Sequence, residues 1–263
     1  NQVIAFLNDL AERSLHKAQE DLKQLQAFAF ESDGLEVLEA WDIAYYSEKL
    51  RKAKYDINQE ELRPWFPKPK VLGGLFKLLE RLFGVVINPV DGVDVWHPDV
   101  EFFDVRDMNG QLRGQLYIDL YARGHKRGGA WMDDLIGRRR KGDEIQTPVA
   151  FVVCNFAPPV GNKPALLTHS DVTTLFHEFG HAFHHLLTQI DCLGVSGING
   201  VAWDAVELPS QFMENFAWSY DVLTRCSRHH EFGKPLPRDL FDKLDASRHA
   251  GAALAMLRQL ELG

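Results

Sequence analysis

Cysteine is scarce in this chain: Cys154, Cys192 and Cys226 are the only three in 263 residues. So few, and an odd number, cannot build a framework of crosslinks; they suit free thiols in a reducing compartment. Long apolar runs are also missing. No stretch reaches the roughly 18 apolar residues of a membrane helix, and no signal-peptide pattern is present, so the expected location is the cytoplasm. Positive charge is in the minority: 29 Lys and Arg against 37 Asp and Glu give a net charge of -8, with a pI near 5.8. That balance argues against nucleic acid or a membrane surface as partner. Internal repeats and low-complexity segments are absent as well.

What remains is ordinary globular material, 45% hydrophobic and 25% charged, long enough for one large or two modest domains. The chain opens at NQVIAFLNDL without an initiator Met and closes at MLRQLELG inside an apolar periodic pattern. The expectation is a piece of something longer, cut at both ends.

The apolar spacing of residues 2 to 30 predicts a long amphipathic helix or two, broken at Asp33-Gly34. A helix is expected over Trp41 to Tyr55, with Trp41, Tyr45 and Tyr46 read as core. A short helix follows from Asn58 and Glu61 to Pro64, and another covers Val71 to Phe83 with Gly84 as its cap. From Val85 the pattern turns to β. Val85 to Ile87 reads as a short strand, Glu101 to Arg106 and Gln115 to Ala122 as a hairpin around Asn109-Gly110, and Pro148 to Asn155 as an apolar strand. The basic run Arg138 to Lys141 reads as a solvated loop. Pro158 to Pro164 is a linker before a helix that starts at Ser170 or Asp171, and Arg238 to Leu262 is one or two more helices.

One stretch carries chemistry: Leu175 to Gln189, LFHEFGHAFHHLLTQ. On a helix at about 100° per residue, its four histidines with Glu178, Thr188 and Gln189 fall within about 140° of arc, and its Leu, Phe and Ala residues cover the other side. His177 and His181, at i and i+4, can both reach one Zn²⁺. Glu178 projects beside His177, where it can act as general base on a water at that ion. His184 shares the face but sits about 10.5 Å along the axis from His177, so it reads as hydrogen-bonding or substrate-facing.

A third ligand must come from elsewhere. H-E-x-x-H-x-x-G-x-x-H would need glycine at 184 and histidine at 187, where His184 and Leu187 stand. A glutamate at the thermolysin-like or aminopeptidase-like spacing would fall on Gly200 to Ala202, which has no carboxylate. The next segment, WDAVELPSQFMENFAWSYDVL, read as one helix, aligns Asp204, Glu207, Gln211, Glu214 and Trp218. Glu207 is the best-placed ligand. Glu214 better suits orienting a ligand imidazole, and Asp204 is a further residue of that outer set. Gly180 either lets the Glu207 helix approach closely or serves ordinary packing, and glycines 194, 197 and 200 make the connection flexible.

HEFGHAFHHLLTQ, DAVELPSQFMEN, AWDIAYYSEKL (Ala40 to Leu50), DVWHPDVEFFDV (Asp94 to Val105) and GQLYIDLYARGHKRGGAW (Gly114 to Trp131) together resemble the M3 family of zinc oligopeptidases. The resemblance implies a zinc metalloendopeptidase that cuts short peptides in a deep channel, with one Zn²⁺. The apolar strand before the metal helix, with Ala150, Phe151 and Val152, is the candidate edge on which a peptide would pair. The resemblance also places the oxyanion donors, a histidine and tyrosines, roughly a hundred residues after the zinc glutamate, which counts to beyond Gly263. The alternative is therefore a fragment that binds zinc or peptide with little turnover. The expected class is α+β, mostly helical, with a small antiparallel-containing sheet, in three regions: helical over 1–90, hairpin and sheet over 91–157, and metal-binding helices over 158–263.

Overall fold

The structure is a computed structural model in which residues 2–262 are described. The elements run α1 (Gln2–Asp33), α2 (Ile43–Tyr55), α3 (Gln59–Leu62), α4 (Lys68–Phe83), β1 (Val85–Pro89), β2 (Glu101–Asp107), β3 (Leu112–Tyr121) and β4 (Trp131–Ile136). They continue through β5 (Arg139–Lys141), β6 (Glu144–Gln146), β7 (Val149–Phe156), α5 (His169–Leu186), α6 (Leu208–Glu214), α7 (Tyr220–Cys226), α8 (Arg238–Ala246) and α9 (Ala252–Leu262). The class is α+β and helix-rich, as expected. Among the described residues no helix is long and apolar enough to cross a membrane.

The chain divides into two compact units, Asn1–Asn58 with Pro237–Gly263, and Gln59–Leu236. In the first, α1 is a single helix that buries Leu25 and Ala29 against Tyr46 of α2, with Phe28, Leu35, Ile43 and Leu50 packed around them. Of the three aromatics read as core, only Tyr46 is buried; Trp41 and Tyr45 face solvent, because they lie on the far side of the turn and helix from that cluster.

In the second unit the sheet order is β1-β2-β3-β7-β4, with β3 and β7 parallel and every other pair antiparallel. Strand alternation puts Gly114, Leu116 and Ile118 of β3 on one face with Ala150, Val152 and Cys154 of β7. Leu116, Ile118, Ala150, Val152 and Cys154 on that face are sealed from water. Gly114 abuts Leu186, which shows that α5 covers this face. The opposite face carries Asp119, which is also buried. Burial raises its carboxyl, but hydrogen bonds from Arg123, Lys126 and the Trp96 indole outweigh burial and hold it well below the usual carboxylate range. Charges in the Gly114 to Trp131 stretch thus satisfy one another.

Three expectations need correction. First, β7 is no edge: β3 occupies one side and β4 the other, so Ala150, Phe151 and Val152 have no backbone free to pair a peptide. Its unbroken apolar run is what a strand flanked on both sides requires, and the edges of the sheet are β1 and β4. Second, the basic run is not loop throughout: Arg139–Lys141 pairs with Glu144–Gln146 as a two-stranded ribbon, and Arg138 and Arg140 both grip Asp191 at 2.8 and 2.5 Å. Third, the segment after the connection is not one helix from Trp203. Proline lacks the N–H that a helix interior needs but fits its first turn, so Pro209 starts α6 at Leu208 and leaves Glu207 as the N-cap with φ −86° and ψ −3°.

Candidate metal centre

Helix α5 starts earlier than Ser170. Thr168 caps it, its hydroxyl accepting from the Asp171 amide at 3.0 Å while the Asp171 carboxylate accepts from the Thr168 amide at 2.9 Å, which satisfies two orphan donors reciprocally. The helix is held by its apolar side: Leu175, Phe176, Phe179 and Leu186 are fully buried. Phe179 and Phe183 meet Phe76 and Phe83 of α4 at ring distances of 6.0 and 5.9 Å. At about 1.5–3 kcal/mol for each large buried side chain, this face far outweighs the roughly 1 kcal/mol that glycine costs mid-helix. Gly180 is therefore tolerated.

Gly180 also has a definite use. A Cβ there would lie 2.5 Å from the Pro209 carbonyl oxygen and 2.5 Å from the Ser210 Cα. The start of α6 rests directly on the α5 backbone at this point, which brings Glu207 beside the histidines. Gly180→Ala is expected to gain helix propensity but lose about 1–3 kcal/mol to overpacking, and to weaken metal binding because Glu207 must move. Urea unfolding and zinc titration of the variant check this; unchanged values in both would show that α6 is not seated there.

The three candidate ligands converge. Glu207 Oε2 lies 3.2 Å from His177 Nε2 and 3.1 Å from His181 Nε2, and the ligating atoms all fall within 4.8 Å of one another. His177 Nδ1 is 2.7 Å from Glu214 Oε1. A carboxylate only accepts, so Nδ1 carries the proton, and the Nε2 of a neutral His177 presents a lone pair. Burial lowers the pKa of His181, which favours the neutral ring that can ligate. A cation between Glu207 Oε2 and the two Nε2 atoms could take all three as ligands. Two imidazole nitrogens and one carboxylate oxygen are also a donor set that zinc accepts, so the residues fit that ion.

Glu178 stands apart from this set and is 5% exposed. Burial pushes its carboxyl up; His177 opposes, the Glu207 charge adds, and a hydrogen bond from the Met132 backbone of β4 opposes, leaving it at about 7. A cation at the three donors would pull it down towards the ionised base. A cavity of about 330 Å³ adjoins it, lined by Ala130, Thr173, Thr174, His177, Glu178 and Glu214.

The remaining candidates separate. His184 faces another cavity of about 390 Å³, among Phe83, Phe183, Leu187 and Phe212, and burial lowers its pKa. His185, counted on the polar face, is fully buried: its Nε2 meets the Ile136 carbonyl at 3.0 Å and its Nδ1 faces the Ile198 amide at 3.5 Å. Gly197 makes room for that ring, since a Cβ on it would come within 2.4 Å of His185 Nδ1, and its φ is +65°. The glycine is thus a seat rather than a hinge. Asp204 is exposed in the turn before α6; once Pro209 sets the helix start, the alignment with Glu207 is lost. Thr188 and Gln189 lie past the end of α5. Sequence reasoning missed Met132 and Ser210. The pairing of β4 held no periodic signal, but Ser210, three residues after Glu207, was open to an i,i+3 argument.

The model of peptidase family M3 matches residues 1–263. The chain belongs to peptidase family M3. It is 55% identical over 263 residues to oligopeptidase A of Escherichia coli (strain K12), covering 100% of this chain and 39% of that protein. It is 47% identical to the chloroplastic/mitochondrial organellar oligopeptidase A of Arabidopsis thaliana, covering 97% of this chain and 33% of the relative. It is also 35% identical over 240 residues to dipeptidyl carboxypeptidase of Escherichia coli (strain K12), covering 91% and 35%. This member of family M3 therefore spans about two-fifths or less of the length of these relatives.

Proposed function

We propose that this chain carries the metal centre and general base of a zinc-dependent metalloendopeptidase acting on short peptides. The observation that carries the reading is the convergence of His177, His181 and Glu207 beside a buried carboxylate that belongs to none of their contacts. His177, His181 and Glu207 would hold the ion, and Glu214 fixes the tautomer of His177. Zinc, when bound, supplies a Lewis acid that polarises the peptide carbonyl and acidifies water. Glu178 takes the proton from the attacking water and delivers it to the departing amine, a role that suits a buried carboxylate which a neighbouring cation would hold ionised. Since β7 is closed on both sides, the extended substrate adds along β4, the edge that packs against α5.

Three free cysteines support a reducing, cytoplasmic setting. The test is hydrolysis of an internally quenched short peptide by the protein at the full length of its relatives, before and after removing zinc. Cleavage that stops on chelation and returns with zinc is expected; cleavage indifferent to metal would overturn the reading. A second reading, binding with little turnover, is favoured by the fraction of the relatives that this chain spans. At equal zinc occupancy it puts the rate of the 263-residue chain at least tenfold below that of the longer protein, and equal rates would dismiss it.

A further inference from the structure

We propose that Ser210 is the positioning residue of Glu207, selecting the carboxylate oxygen that faces the two imidazoles. The inference rests on the reading of His177, His181 and Glu207 as the metal donors. Ser210 is sealed from water, and its hydroxyl oxygen lies 2.7 Å from Glu207 Oε2, the same oxygen that approaches both histidines. It also lies 2.9 Å from the Glu207 carbonyl. That carbonyl already accepts the Gln211 amide at 2.9 Å, and a hydroxyl proton bonds a carboxylate more strongly than a neutral carbonyl. The single proton of Ser210 therefore goes to Oε2.

Glu207 needs such a restraint. Its side chain is half exposed, it precedes the first turn of α6, and residues 202–205 before it are exposed. Nothing in that turn packs the carboxylate into one orientation. Ser210, by contrast, is fixed at both ends: its backbone rests on Gly180 between the two histidines, and its side chain is three residues along from Glu207 on the same helical face. A carboxylate oxygen has two lone pairs, so one can accept from Ser210 while the other points to the metal donors. The bland alternative is a serine that merely back-bonds the carbonyl of its own helix. That role would leave the metal unaffected.

A double-mutant cycle on zinc affinity, measured by competition with a chelator, separates the two. Ser210→Ala is expected to weaken zinc binding by about 10- to 100-fold, the usual cost of losing a partner that orients a ligand. In a Glu207→Ala background the same change is expected to do nothing further, because its target is gone. The zinc-free fold of Ser210→Ala is expected to match wild type by circular dichroism, which separates lost orientation from lost folding. Affinity within twofold of wild type in Ser210→Ala, or an equal loss in both backgrounds, would overturn the inference while leaving the metal site standing. A wild-type protein that bound no zinc would instead remove the metal reading, and the inference with it.

Discussion

Replacing Glu178 with glutamine is expected to leave zinc bound and to slow peptide hydrolysis by about 10²–10⁴-fold, the usual contribution of a positioned acid or base. Zinc is retained because the convergent atoms belong to His177, His181 and Glu207 alone. Glutamine matches glutamate in size and shape, so the fold around it has no cause to change. What it cannot do is take a proton from water and hand it to an amine. The loss should therefore appear in kcat and in kcat/KM alike, the pattern of an interaction made in the transition state. Steady-state kinetics on a quenched peptide, with metal content measured on the same preparation, check this. A rate within tenfold of wild type at full occupancy would assign the base elsewhere.

The second large effect concerns which carboxylate binds the metal. Glu207 and Glu214 both touch His177, one at Nε2 and the other at Nδ1. Only Glu207 also reaches His181. Glu207→Gln is expected to reduce zinc affinity by more than the 10- to 100-fold that follows loss of an outer partner, and Glu214→Gln is expected to fall inside that range. The charge matters here as well as the contact, since a neutral amide forfeits the attraction between carboxylate and cation. Zinc titration of both variants decides the matter, and the reverse order of effects would exchange the two roles.

Much of the fold was legible because its signals were local. The α5 segment announced itself by putting all its Phe and Leu on one side, and Asn109-Gly110 marked the β2–β3 hairpin. The strand Val149–Phe156 was visible as an apolar run, yet its place between β3 and β4 was not, since strand order depends on pairing across distant sequence. The β4 segment, WMDDLI, has two adjacent aspartates that break any apolar alternation, so the edge strand escaped notice and its role went to β7. His185 shows the same limit in reverse. Its identity suggested chemistry, but the packing of residues 197–198 and the Ile136 carbonyl buried it as structure. The convergence of Glu207 on the histidines was foreseen from spacing, whereas its position as an N-cap follows from Pro209.

A cation shared by His177, His181 and Glu207 would be seen by anomalous diffraction at the zinc edge from crystals of the zinc-loaded protein. One peak is expected for each chain, in contact with His177 Nε2, His181 Nε2 and a carboxylate oxygen of Glu207, with Glu178 outside the coordination sphere. A peak bound by Glu214 or His184 in place of Glu207, or no peak at this cluster at full loading, would contradict this ligand assignment.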